Sequence, residues 1–284
     1  MKLFNVRRRN DASLFLNHRH VERFFRYSSM SYMPLQQNGK HQFATSHALR
    51  IYRSNAIYSF IPKNACSTLR LSIAYANGCI DNTDKFNWIH NNNHTFRADL
   101  SSLLTANYTF TILRCPYARL ASVFLDKIVS RDPVAWRLYE LSDRKVKLED
   151  FTFSNFIQVL KMNHIRYGEI HWRPQVDFLV YKDYDDYFNV ENFAHASQTL
   201  KNKINLDIID ARPFTNHGIE KLNLMDDDFS ETSPLDIFVL KRKGMCPRPS
   251  SLYNKESIDT VTFFYGDDIK LYRKQFGSSS LMFK

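Results

Sequence analysis

A short apolar run that leads directly into a helical pattern constrains the fold of this chain most. Residues 57–61, Ile-Tyr-Ser-Phe-Ile, are rich in β-branched and aromatic side chains, which is typical of a buried strand. Pro62 ends that strand, because proline cannot donate a ladder hydrogen bond. Residues 67–77 then place apolar side chains on one helix face, and Gly78 stands where helices commonly end. The segment therefore predicts a strand–loop–helix unit.

A second unit of the same kind follows along the chain. Residues 108–113 predict another strand, and residues 116–129 predict a helix with proline near its first position. Residues 151–162 and 258–276 have helical patterns, and residues 186–190 predict a strand. Strands that alternate with helices predict an α/β fold with a central, mostly parallel sheet.

The placement of glycine and cysteine excludes several classes of protein. The 7 glycines never stand adjacent or one residue apart, and neither G-x-G-x-x-G nor G-x-x-x-x-G-K-[ST] occurs. A glycine-fingerprint dinucleotide fold and a standard Walker A NTPase are therefore disfavoured. The 4 cysteines include no C-x-x-C pair, which excludes a cysteine-rich zinc site, provides no disulfide framework and favours a reducing compartment.

Positive charge indicates an anionic partner, and its distribution predicts a domain boundary. The net charge of +10 fits a nucleic acid, a membrane surface, an acidic polysaccharide or a phosphorylated ligand. Residues 1–45 are basic and irregular, and we interpret them as an N-terminal extension that either binds anions or is a solvated charged edge. Residues 46–284 form one predicted domain, in which residues 217–250 are predicted to be an inserted loop.

The chain shows no targeting or membrane-spanning pattern. Its start lacks the apolar run of a signal peptide, and no stretch approaches the roughly 20 apolar residues of a membrane span. We therefore expect a soluble, cytoplasmic protein that acts at a membrane only peripherally, if at all.

The first candidate site is the loop between the strand at 57–61 and its helix. A helix N-terminus presents free N–H groups and the positive end of its dipole, which together bind anions. Lys63 adds a positive charge, and the hydroxyl groups of Ser67 and Thr68 add hydrogen-bond donors. The small residues Ala65 and Cys66 would let the backbone approach a ligand closely. The alternative interpretation is an ordinary capped helix with a surface lysine.

The second candidate site follows the strand at 108–113. Arg114 stands at the carboxyl end of that strand, and Ser122 lies about two turns into the next helix, off its apolar stripe. Because α/β sheets bind ligands at the carboxyl ends of their strands, both side chains could contact one phosphate there.

Together these sites resemble the Golgi-type carbohydrate sulfotransferases, most closely their chondroitin and dermatan branch. Residues 62–67 match the P-K-x-A-C-[ST] motif of that family, and residues 114–122 match its R-[DE]-P-x-x-R-L-x-S motif except at Cys115. Further family-like segments are Asp126–Lys127, His171–Gln175, Tyr184–Glu191 and Tyr265–Tyr272. The similarity spans about residues 55–276.

Two departures accompany this resemblance. Cys115 stands where the family has an acidic residue, and Leu179 and Val180 stand where it has cysteines after its H-W-x-x-Q segment. The missing cysteines and the missing membrane anchor fit a cytosolic, soluble relative.

The resemblance implies a P-loop-like three-layer sandwich, a central mostly parallel sheet flanked by helices. It also implies transfer of a sulfuryl group from 3′-phosphoadenosine-5′-phosphosulfate (PAPS) to a hydroxyl of a carbohydrate acceptor, a polysaccharide or a glycolipid that could itself be acidic. Because a sulfuryl group carries less negative charge than a phosphoryl group, this transfer requires no metal.

The same resemblance assigns the contacts to PAPS. Lys63 would stabilise charge on the leaving phosphate. Arg114 and Ser122 would hold the 3′-phosphate. The residues assigned to the 5′-phosphosulfate are Lys63, Asn64, Ala65, Cys66, Ser67 and Thr68.

A general base must accept the proton of the acceptor hydroxyl, and histidine suits that role near neutral pH. His94 is our first candidate, because in the resembling family a histidine precedes a similar A-x-L-x-x-L stretch. His90 is the second candidate and His171 the third. His90, His171 and Arg173 are also candidates for contact with the acceptor, although His171 could equally be a hydrogen-bonded structural group.

Two other functions compete with sulfuryl transfer. A non-enzymatic basic protein that binds polyanions or nucleic acid would explain the net charge. It would not explain why the Lys63 loop occurs together with the motif that spaces Arg114 and Ser122 eight residues apart. A divergent P-loop-like kinase would need magnesium and an acidic strand end, whereas the second strand ends at Arg114. We therefore expect no nucleic-acid partner.

Overall fold

A four-stranded sheet lies at the centre of the computed structural model, which describes residues 22–28, 32–92, 94–143, 147–215, 219 and 221–284. The strands are β1 (Ala48–Ile51), β2 (Ala56–Ser59), β3 (Tyr108–Leu113) and β4 (Asp186–Asn189), and they lie side by side in that order. β2, β3 and β4 run parallel, and β1 is antiparallel to β2 at one edge. The predicted α/β fold with a central, mostly parallel sheet is confirmed.

Helices connect the strands and cover the sheet. A π-helical turn, Phe124–Ile128, continues helix α5 without a break. The helices are α1 (Gly39–Ser46), α2 (Cys66–Ala76), α3 (Trp88–Asn91), α4 (Leu100–Leu104), α5 (Pro116–Val123), α6 (Pro133–Leu141), α7 (Phe153–Val159), α8 (Asn163–Arg166), α9 (Phe193–Ile204), α10 (Pro234–Arg242), α11 (Lys255–Phe264) and α12 (Gly266–Phe276).

Apolar clusters pack against the sheet on both sides, because successive side chains of a strand point to opposite faces. Tyr58 and Phe110 belong to one cluster, together with buried residues of α2 and α9. Ile57 and Leu113 belong to the other cluster, which buried residues of α5, α7 and α11 complete. Every residue of β2 and β3 is buried, as expected for parallel strands covered on both faces.

The boundaries of several elements differ from the sequence prediction. β2 ends at Ser59 rather than at residue 61, and α7 spans only Phe153–Val159 of the predicted helix at 151–162. The predicted helix at 258–276 is two helices, because Tyr265 leaves the helical conformation between α11 and α12. Tyr265 is buried at this break, and its hydroxyl donates to the Trp172 carbonyl oxygen at 2.7 Å.

The segment at 217–250, which we predicted to be an inserted loop, contains regular structure. It forms strand β5 (Asn223–Met225), helix α10 and strand β6 (Met245–Pro247), and the two strands pair in parallel. Each strand has three residues, which is too short for an alternating pattern to identify it in the sequence.

The predicted boundary at residue 45 falls inside α1, whose Ala44 is fully buried. Phe25 and Tyr27 are also buried in the core, and Arg23 forms an ion pair of 2.8 Å with Asp185. The later part of the predicted extension therefore packs on the domain. The arginine-rich start of that extension lies outside the described residues.

Within the part of the chain that the structure describes, none of the helices combines the length and the apolar character needed to cross a membrane.

Candidate active site

The loop between β2 and α2 has the backbone geometry of an anion-binding turn. Lys63 and Ala65 both adopt left-handed conformations, with φ of 71° and 56°, which costs a non-glycine residue energy. Ala65 is the N-cap of α2 and provides no side-chain hydrogen bond to the helix. The first N–H groups of a helix have no intrahelical partner, so those of residues 66–68 point toward the loop.

The hydroxyl groups beside this turn differ in their surroundings. Thr68 is buried, and its hydroxyl accepts a hydrogen bond from the Ala211 N–H at 3.3 Å. Ser67 is only half-buried. Neither residue caps the helix with its side chain, because Ala65 occupies the cap position.

An ion pair holds the Lys63 ammonium. Its Nζ lies 2.8 Å from Asp126 Oδ2, and the Lys127 Nζ lies 3.3 Å from the same oxygen. Both members of the Lys63–Asp126 pair are largely buried, with 14% and 7% of their side chains exposed. Burial lowers the pKa of Lys63, and the Asp126 carboxylate opposes that shift. Asp126 thus stands directly beside the candidate anion site.

The second candidate site lies next to the first. β2 and β3 are parallel neighbours, so the loops that follow them meet at one edge of the sheet. Arg114 follows β3 directly, and its Nη1 donates to the Lys63 carbonyl oxygen at 3.1 Å. Ser122 is half-buried on α5. The structure therefore brings Lys63 and Arg114 together, on one side of the molecule.

A buried glutamine joins the two loops. Gln175 Oε1 accepts from Asn64 Nδ2 at 2.6 Å and from the Arg114 N–H at 3.0 Å, while its Nε2 donates to the Arg114 carbonyl oxygen at 2.9 Å. The Asn64 side chain is fully buried and also donates to the Ile112 carbonyl oxygen at 2.9 Å. Asn64 thus faces the protein interior with its side chain, and its backbone N–H donates to the Ile61 carbonyl oxygen at 3.2 Å.

Arg119 is a second buried residue that the sequence analysis did not single out. Its guanidinium donates to the carbonyl oxygens of Pro62 at 3.0 Å, Arg173 at 2.8 Å and Ile170 at 3.2 Å. Burial lowers the pKa of this guanidinium to about 10. Arg119 therefore ties the Lys63 loop to the segment at 170–173. The only signal for it in the sequence is its place in the 114–122 motif.

A carboxylate does reach the position where the resembling family has an acidic residue. The Cys115 N–H donates to Glu191 Oε1 at 3.0 Å, and Tyr272 donates to the other oxygen of Glu191 at 3.0 Å. Cys115 itself is buried. Glu191 thus supplies a negative charge at this end of β3 from the short helical turn that follows β4.

The three candidate bases differ in their surroundings. His94 and His90 are both exposed, and the His90 ring packs edge-on against Phe86 with 5.3 Å between centroids. His171 is largely buried, and its Nδ1 lies 2.5 Å from Glu169 Oε1. His171 is therefore engaged with a carboxylate, whereas His94 presents its ring to solvent.

Arg173 and His47 form a cluster beside the first loop. The Arg173 guanidinium lies 3.7 Å from the centre of the Phe43 ring, and its Nε donates to Asp177 at 2.8 Å. The His47 ring packs against Phe60, which follows β2, at 5.0 Å between centroids. Burial lowers the pKa of His47 to about 4, and the charges of Arg173 and His94 act in the same direction. No pattern in the neighbouring sequence marks His47 as a member of this cluster.

A cavity of about 250 Å³ lies beside the Gln175 segment. Pro174, Val176 and Asp268 line it together with residues of α11 and α12, whereas Lys63 and Arg114 do not. Among the described residues, no three His, Cys, Asp or Glu side chains come together as a metal-binding group.

Comparison with known families gives one match. A family model described as "Sulfotransferase family" matches residues 46–274, which include both loops, the Gln175 segment and most of α12. No curated protein and no solved structure matches the chain.

Proposed function

Because the chain belongs to the sulfotransferase family, a transferase family, we propose that it transfers a sulfuryl group from PAPS to a hydroxyl of a carbohydrate. One observation carries the proposal. Arg114 donates to the Lys63 carbonyl oxygen, so two cationic loops from neighbouring strands meet at one sheet edge. A donor with phosphate groups at both its 3′ and 5′ positions suits two adjacent anion sites.

The groups at this edge fit the 5′ end of PAPS. They are hydrogen-bond donors almost throughout: the Lys63 ammonium, the free N–H groups of the first turn of α2 and the Ser67 hydroxyl. In our proposal these groups, together with the backbone of Ala65, Cys66 and Thr68, hold the 5′-phosphosulfate, whereas the Asn64 N–H is bonded to the Ile61 carbonyl oxygen. Asp126 is the exception, and it would compete with the donor for the Lys63 ammonium.

Arg114 and Ser122 hold the 3′-phosphate in this proposal. The Arg114 backbone is fixed by Gln175 at both its N–H and its carbonyl group, so its side chain starts from a defined position. A guanidinium binds phosphate through two parallel hydrogen bonds, and a hydroxyl adds a third.

Lys63 stabilises the developing charge in the proposed reaction. PAPS supplies the sulfuryl group and a phosphate leaving group. As the bond to the leaving oxygen breaks, negative charge accumulates there, and a nearby ammonium in a largely buried site stabilises it strongly. Lys63 meets both conditions, because its side chain is 14% exposed and it stands two residues before Ala65, the N-cap of α2.

His94 accepts the acceptor proton in this proposal. Its exposed ring distinguishes it from His171, and the resemblance distinguishes it from His90, which is equally exposed. His171 is instead held by Glu169. Replacing His94 with alanine should lower kcat by about 10²-fold or more, whereas His195→Ala, which removes an exposed histidine from α9, should leave kcat nearly unchanged. A loss of kcat in His90→Ala but not in His94→Ala would assign the base to His90.

The acceptor class rests on the resemblance to carbohydrate sulfotransferases and on the net charge of +10. We propose a polysaccharide or glycolipid hydroxyl, with His171, Arg173 and His90 on the acceptor side. Arg173 lies over the Phe43 ring and close to His47, which connects it to the Lys63 loop. An acidic acceptor would also be attracted by the overall charge.

Calorimetric titration with 3′-phosphoadenosine-5′-phosphate (PAP) and with ATP–Mg²⁺ tests the proposal. We expect PAP to bind at one site, and Lys63→Ala or Arg114→Ala to weaken it at least tenfold, since each removes a charge-assisted contact. Lys201→Ala, which removes an exposed lysine from α9, is the matched control and should bind PAP as the unaltered chain does. Tight ATP–Mg²⁺ binding without a PAP signal would instead support a kinase, and binding of any polyanion without dependence on Lys63 would support a non-enzymatic protein.

A further inference from the structure

The amide of Gln175 is the direct link between the two proposed anion-binding loops. Its carbonyl oxygen accepts from Asn64 in the first loop and from the Arg114 N–H in the second, and its amino group donates to the Arg114 carbonyl oxygen. The side chain is 1% exposed, so it cannot itself contact a ligand in solvent. Such a buried amide either stabilises the fold alone or sets the geometry of the loops.

The pattern of hydrogen bonds favours a role in geometry. The hydrogen-bond partners of the Gln175 side chain lie in loops rather than in helices or strands. Two of its three side-chain hydrogen bonds go to the backbone of Arg114, directly after β3. The third goes to Asn64, between the two left-handed residues of the first loop. A change in the length or polarity of this side chain would therefore move one loop relative to the other.

The Asp268 carboxylate binds the backbone at Gln175. Its two carboxylate oxygens accept from the N–H groups of Gln175 at 2.8 Å and Val176 at 2.9 Å, and the carboxylate is 2% exposed. Asp268 lies on α12, so the C-terminal helix anchors the backbone of the bridging residue.

We propose that Gln175, anchored by Asp268, is a positioning residue that fixes the spacing between the Lys63 loop and the Arg114 loop so that one nucleotide can contact both. This inference rests on the proposed function. It assigns no contact with the ligand to Gln175, which acts through Asn64 and Arg114.

Substitutions at residue 175 separate positioning from stability. Gln175→Met keeps the length and removes all three hydrogen bonds. Gln175→Glu keeps both acceptor contacts, but as a carboxylate it faces the Arg114 carbonyl oxygen without a proton to donate. When protonated, the glutamate regains an O–H donor, so its effect on the loops should reverse as the pH falls.

Calorimetry with PAP at pH 8 and pH 5.5 tests the proposal, alongside urea unfolding of every variant. We expect Gln175→Met to weaken PAP binding about tenfold or more at both pH values. Gln175→Glu should weaken it similarly at pH 8 and recover at pH 5.5, relative to the unaltered chain at each pH. The matched control is Asn38→Leu, which removes a buried amide that bonds Tyr27 and His41. It should lower stability without changing PAP affinity.

The outcomes are distinguishable. PAP affinity of Gln175→Met within twofold of the unaltered chain, or a loss that scales with stability as in Asn38→Leu, would overturn the positioning role. Should Gln175→Met fail to fold, the pH-dependent recovery of Gln175→Glu decides alone, and its absence would refute the proposal. If the unaltered chain binds no PAP, the proposed function fails first, independently of Gln175.

Discussion

Replacing Lys63 and Asp126 singly and together tests the electrostatics of the site in depth. The two groups lie 2.8 Å apart and are largely buried, and Lys127 lies 3.3 Å from the same Asp126 oxygen. We consider Lys63→Met, Asp126→Asn and the double variant, which together form a double-mutant cycle.

The structure sets the expected magnitudes. At 2.8 Å the two charges attract each other by about 6 kcal/mol for an effective dielectric constant of about 20. Loss of hydration offsets most of this attraction, so we expect a measured coupling of about 2 kcal/mol. The single variants should differ. Lys63→Met should cost about 1 kcal/mol, because Asp126 keeps Lys127, whereas Asp126→Asn should cost about 3 kcal/mol, because it leaves Lys63 beside other cations.

Urea unfolding near pH 7 measures the cycle, and PAP calorimetry on Asp126→Asn adds a functional readout. Removing the carboxylate beside the anion site should tighten PAP binding by about tenfold, since Asp126 no longer competes for the Lys63 ammonium. A coupling below about 0.5 kcal/mol, or weaker PAP binding in Asp126→Asn, would refute this reasoning.

Substitutions at three further positions test the local physics. Ala65→Gly should change the free energy of unfolding by less than about 1 kcal/mol, because relief of the strained left-handed backbone offsets the added entropy of the unfolded chain. Ala65→Val introduces a β-branched side chain at the same strained position and should lower the free energy of unfolding, measured in urea, by at least about 2 kcal/mol. Burial lowers the pKa of His47 in the folded chain to about 4, below its usual 6.5. Its contribution to the free energy of unfolding is therefore present above pH 6.5 and is lost as the pH falls through 4. Relative to His47→Leu, the unaltered chain should lose about 3 kcal/mol of unfolding free energy over that window, and a difference that stays constant with pH would contradict the burial argument. Arg119→Met leaves three carbonyl oxygens without their donor and should cost about 3–5 kcal/mol, of which Arg119→Lys recovers only part; equal stability of the two variants would show that the fork geometry is unimportant.

The sequence predicted the strand–loop–helix units well, for physical reasons. β2 and β3 are short apolar runs, and the apolar stripe of the helix at 116–129 matches residues that the structure buries. These signals are local, because each comes from a few consecutive residues. The adjacency of the two loops also followed from a general rule, since the carboxyl ends of parallel strands share one edge of a sheet.

The contacts that arrange the site could not be predicted in this way. Gln175 and Arg119 are polar residues whose partners lie more than fifty positions away in the chain, and no periodicity marks such contacts. The pairing of β5 with β6 involves strands of three residues, which carry no pattern. The break at Tyr265 coincides with a hydrogen bond from its side chain to Trp172, a long-range contact. Tertiary contacts decide these features, and the sequence shows only that the residues are present.

Transfer of labelled sulfate from PAPS to a panel of glycans tests the central claim most directly. We predict that the unaltered chain labels at least one carbohydrate, and that Lys63→Ala lowers the rate about 10²-fold or more while Lys201→Ala does not. A chain that binds PAP yet labels no carbohydrate, or a Lys63→Ala variant that transfers sulfate at the unaltered rate, would contradict the account.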